Sequence, residues 1–180
     1  MNEEQSIIDQ TKKWISDVII GCNFCPFAAK VVKQQTIHYQ VERSASLVIC
    51  LDMLLKEIVR LDVDSGIETS FLIFPDSFAG FDDYLDLVDL AEKLIVDNGY
   101  EGVYQAASFH PLYLFAGSQE EDAANYTNRS PYPMLHLLRE ASIDKALEHF
   151  SSPENIPESN IDFARKKGLA YMKLLRDNCL

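Results

Sequence analysis

An α/β fold is predicted by three features of this sequence. Single strand-like segments alternate with helical ones, the strand-like segments are short apolar runs, and no shift of composition divides the chain. The alternation implies crossover connections and a small, largely parallel or mixed sheet of roughly three or four strands, covered by about six helices. One hundred and eighty residues, 47% of them hydrophobic, suit one globular domain spanning 1–180.

Residues 4–20 place Ile7, Ile8, Trp14, Ile15, Val18 and Ile19 on one helical face, and Gly21 ends that helix. Residues 22–27 form a turn, because Pro26 pushes Cys25 out of the helical region, and 28–33 make another helical turn. A strand follows over 36–41. Ser44 can cap a helix with Leu47, Val48, Leu51, Leu54, Leu55, Ile58 and Val59 inward. The run 69–74, ending at Pro75, suits a strand buried on both faces. Asp82 starts a third helix that packs Leu85, Val88, Leu94 and Ile95 and closes at Gly99. Residues 101–109 read as a third strand and 112–116 as a short fourth. The polar loop 117–125 is long enough to be a lid or to wrap over a site. Ser130, followed by proline, opens a helix carrying His136; Ser142 caps another through Glu148; and 158–177 form the last helix.

A net charge of −12 argues against non-specific binding to nucleic acid or to an anionic membrane, since both favour a basic surface. The longest apolar runs are far too short to span a bilayer. The N-terminal residues lack the features of a signal peptide, which points to the cytoplasm. There the four cysteines are expected to stay reduced, bind metal or do chemistry.

Three stretches carry chemistry. In G-C-N-F-C-P-F, Cys25 is the candidate nucleophile or redox thiol; the alternative is an inert buried cysteine. In A-S-F-H-P, His110 leaves the end of a strand, where a sheet enzyme places a base or thiolate partner. In Y-T-N-R-S-P, Asn128, Arg129 and Ser130 precede the expected helix, whose N-terminus would hold an anion. Tyr126 and His136 are candidate pocket residues, although core packing explains them equally well. Cys22, Cys25, His110 and His136 form a possible zinc set without the usual motif spacing. His38 and His149 read as structural or solvated. Phosphate-binding glycine motifs are absent, and the sequence names no cofactor.

The segments C-P-F-A (25–28), A-S-F-H-P-L-Y-L-F-A-G (107–117) and N-Y-T-N-R-S-P-Y-P-M-L-H-L-L-R-E (125–140) resemble an uncharacterised bacterial family, domain of unknown function 1415. The resemblance extends over nearly the whole chain. That family often has leucine where Cys22 stands, which leaves Cys25 as the family-like thiol. It carries no activity that can be transferred.

The leading expectation is a small thiol-dependent enzyme acting on an anionic small molecule through Cys25 and His110. The alternatives are a non-catalytic protein that binds a small anion or a metal in the same pocket, and an interaction module built on the acidic loop 117–125.

Overall fold

The computed structural model describes residues 2–148 and 151–180. Among the described residues, seven α-helices surround one four-stranded mixed sheet, so the α/β expectation holds. His149 lies outside them.

Helix α1 (Glu3–Trp14) carries Glu3 and Glu4 in its first turn and Lys12 and Lys13 in its last, each sign matched to the helix dipole. It runs directly into a π-helical segment, Ile15–Ile20, which closes when the Gly21 N–H bonds to the Ser16 carbonyl. A methyl group at position 21 would sit 2.3 Å from the Asp17 carbonyl oxygen, so this closure requires glycine. After the 22–27 turn comes α2 (Ala28–Gln34).

Strands β1 (Ile37–Val41) and β2 (Thr69–Ile73) pair in parallel, joined by α3 (Leu47–Val63). Helix α4 (Phe81–Asp97) leads to β3 (Tyr104–Phe109). The sheet order is β1-β2-β4-β3, with β4 (Met134–Arg139) antiparallel to both neighbours. The β2–α4–β3 crossover thus leaves a gap one strand wide, and the last strand fills it.

This arrangement corrects the reading of residues 130–140. The expected helix carrying His136 is a central strand, and the Ser130 hydroxyl donates to the Tyr132 carbonyl instead of capping a helix. Met134 to Leu138 are all buried because a strand flanked on both edges is covered on both faces, and a short apolar run of that kind has no periodicity that separates strand from helix. The strand expected over 112–116 is loop. The final helix is two, α6 (Ile156–Lys167) and α7 (Leu169–Asp177), broken at Gly168, whose φ of +85° ends the first. Val48, Val59 and Leu85 are exposed. The inward stripes are instead Cys50, Leu54, Glu57, Ile58 and Leu61 on α3, and Tyr84, Leu87, Val88, Ala91 and Ile95 on α4.

Alternate residues of each strand face opposite layers. Leu72, Leu135 and Leu137 pack with α3 and α4 residues such as Leu54, Ile58 and Leu87. On the other face, the register aligns Tyr39, Phe71, His136 and Ala107 in one row beneath the α1 side of the core. Tyr39 stacks on Phe71 at 5.9 Å, and Phe71 stacks on His136 at 3.8 Å between ring centroids. Trp14, fully buried, meets Phe109 edge-on at 5.1 Å and donates its indole N–H to the Arg129 carbonyl. No helix is long and apolar enough to cross a membrane, among the described residues.

Candidate functional site

A cavity of about 150 Å³ lies between this aromatic row and the π-helical segment. Trp14, Ile15 and Ile19 form its roof, Phe71, Phe109 and His136 its floor, and Phe24, Cys25 and Phe27 one wall. Thr127 and Asn128 close it from the loop before β4, and Asn160 from α6. Cys25, Phe27, Thr127, Asn128 and Asn160 also line a neighbouring groove of about 480 Å³ running past Leu138 and Ile143. Cys25 therefore stands in the partition between an inner cavity and an outer groove.

The local sequence explains how the partition is held. Pro26 forces the turn that turns Cys25 back towards the sheet. The Asn160 amide donates to the Phe24 carbonyl at 2.8 Å and ties that turn to α6. The backbone N–H groups of Phe27 and Ala28 favour the Cys25 thiolate, yet burial outweighs them and pushes the thiol pKa up. Burial raises Cys22 as well, opposed by Lys167. At rest both thiols carry their protons. Neither has the lowered pKa of an activated nucleophile.

Three of the residues singled out in the sequence, Cys25, Asn128 and His136, line the cavity together. The other four do not. His110 has no exposed surface: its Nδ1 accepts the Leu112 N–H at 2.9 Å, so its Nε2 carries the proton and donates to the Phe78 carbonyl at 2.7 Å. Burial lowers its pKa, with the Phe78 carbonyl opposing. Both nitrogens hold loops in place, including the turn where Phe78 adopts a φ of +57°, and neither is left for proton transfer. The expected neighbourhood of the two loops is present, since the His110 N–H bonds to the Asn128 carbonyl.

Arg129 is likewise occupied. Its guanidinium donates to the carbonyls of Tyr113 and Glu120 and lies over the Tyr126 ring at 4.9 Å, with Arg176 on the same ring at 5.6 Å. Asn125, fully buried, accepts the Phe115 N–H and donates to the Gln119 carbonyl. These bonds fasten loop 117–125 to the body instead of leaving it a free lid. With no helix beginning at Ser130, the expected anion site loses its backbone donors. Among the described residues, no three His, Cys, Asp or Glu side chains gather into a metal-binding group.

The cavity includes Asn160 and Phe71, which sequence reasoning passed over, and Thr127 and Phe109, which lie in the stretches singled out but were not themselves picked. Their only sequence signal was polarity or aromaticity at unremarkable positions. His136 is the most constrained polar group there. It is 9% exposed, and burial drives its pKa down to about 3, so the imidazole is neutral at physiological pH.

No curated protein and no solved structure matches the chain. Residues 6–174 match the model of the family described as protein of unknown function (DUF1415), and the chain belongs to that family.

Proposed function

We propose that this protein binds a small uncharged organic molecule in the cavity between the π-helical segment and the sheet. The observation that carries this reading is the convergence of Cys25, Asn128 and His136, from three remote segments, on one space whose lining, Thr127 and Asn160 apart, is otherwise aromatic and aliphatic. The ligand is uncharged because the side chains lining the space are neutral: the thiol and imidazole are held so by burial, and Arg129 does not line it. The π-helical turn supports the reading, since such turns often mark functional sites.

Methyl NMR tests it. Small neutral aromatic compounds are expected to shift the Ile15, Ile19, Val31 and Ile37 methyl signals, all of which border the space. Shifts confined to other methyls, or none at all, would remove the proposal.

A second reading is favoured by the position of Cys25 between the cavity and the outer groove. In it, the thiol reacts with an electrophilic ligand that has first entered the cavity. It predicts saturable alkylation that is lost in Cys25→Ser.

A further inference from the structure

The His136 ring presents one atom of fixed chemical character. The Thr69 hydroxyl has a single proton, which it donates to the Leu137 carbonyl. Its oxygen must therefore accept from His136 Nε2, 2.7 Å away, and the ring is the Nε2–H tautomer. Nδ1 is left with an unshared pair and has no hydrogen-bond partner among the described residues. Stacking on Phe71 at 3.8 Å, with only 9° between the planes, holds the ring in that orientation. Burial keeps it from protonating, so Nδ1 stays an acceptor across the physiological range.

The amide nitrogens of the two lining asparagines are engaged elsewhere. The Asn128 amide donates to the Ser108 carbonyl and the Asn160 amide to the Phe24 carbonyl, while the single proton of the Thr127 hydroxyl, 2.9 Å from both the Ala124 carbonyl and Asn128 Oδ1, serves one of the two. A cavity of about 150 Å³ with apolar walls is the size that admits a benzene-sized guest.

Resting on the binding reading above, we infer that the ligand is a neutral single-ring molecule bearing one hydroxyl or N–H donor, received by His136 Nδ1. Phenol is the simplest member of the class. A ring without the donor fills the same space, shuts water away from Nδ1 and leaves that acceptor unpaired, and that omission is what separates the two.

The test compares phenol, toluene and benzoate by methyl NMR titration of the full chain. Phenol and toluene match in size and differ in the donor. Phenol is expected to bind at least about tenfold more tightly than toluene, and benzoate not to enter. In His136→Phe, which keeps the ring stack and removes the acceptor, toluene should bind at least as well as phenol. Should that variant fail to fold, the His136 Nδ1 resonance of the wild type replaces it, moving with phenol and not with toluene. Equal affinity for phenol and toluene, or tightest binding of benzoate, overturns the donor assignment and leaves the cavity reading standing. No shift from any of the three overturns both.

Discussion

His136 Nε2 lies 2.7 Å from Thr69 Oγ1, across the β2–β4 pair at the centre of the sheet. The contact joins fold to site, because the same hydroxyl that satisfies the Leu137 carbonyl sets the tautomer of the cavity histidine. Thr69→Val keeps the shape and removes the hydroxyl, leaving a buried N–H without its acceptor. It is expected to cost about 1–3 kcal/mol in denaturant unfolding and to erase the discrimination between phenol and toluene.

Cys25 should be a slow thiol. Burial raises its pKa, so its thiolate fraction is small at neutral pH and alkylation by iodoacetamide should still be accelerating above the ordinary thiol range. A ligand in the cavity should slow the reaction further, because the residue lines that space. Mass spectrometry of the modified peptide, with Cys25→Ser as control, reads both effects. Fast, ligand-independent labelling at pH 7 would show the thiol to be activated.

Arg129 fastens a loop. Arg129→Ala loses the bonds to the Tyr113 and Glu120 carbonyls and the contact with Tyr126, and should cost about 2 kcal/mol of stability. Calorimetry with inorganic phosphate should show no difference between this variant and the wild type. Phosphate binding that disappears with Arg129 would restore the anion site.

Acid stability should depend on Glu57. Its side chain, with no exposed surface, accepts from His38 Nδ1, the Ser70 hydroxyl and Arg60 Nε at 2.7, 2.6 and 3.0 Å. Burial alone would raise this carboxyl, but the His38, Ser70 and Arg60 contacts together hold it below its usual range. A carboxyl with a lower pKa folded than unfolded adds stability above its unfolded value, about 4.3, and loses it as pH falls through the folded value. Unfolding followed from pH 7 to 3 should therefore steepen below about pH 4.3 in the wild type. The curve should be flatter in Glu57→Gln, which at neutral pH is expected to be about 1.5–3 kcal/mol less stable.

The sequence made the alternation of β1, α3, β2, α4 and β3 legible because each element has a length and periodicity matched to its environment. It did not reveal β4. Apart from His136, Met134 to Leu138 is apolar on both faces, and only its place between β2 and β3 makes it a strand. That single ambiguity moved the expected site to a helix end that does not exist. Cys25, Asn128 and His136 were recognisable as residues of interest, yet the sequence could not tell His136 in the cavity from His110, which packs against Phe81 and Tyr84 of α4. The difference lies in hydrogen bonds with Leu112, Phe78 and Thr69, of which the last two are far from their histidines in sequence. Asn160 was invisible for a related reason, since its role depends on the packing of α6 against the Phe24 turn.

The most direct measurement is a crystal structure of the protein soaked with phenol. The account predicts ring density between Trp14 and His136, with the phenol oxygen within hydrogen-bond distance of Nδ1. An empty cavity with phenol bound elsewhere, or a ring there with its oxygen turned away from His136, would contradict it.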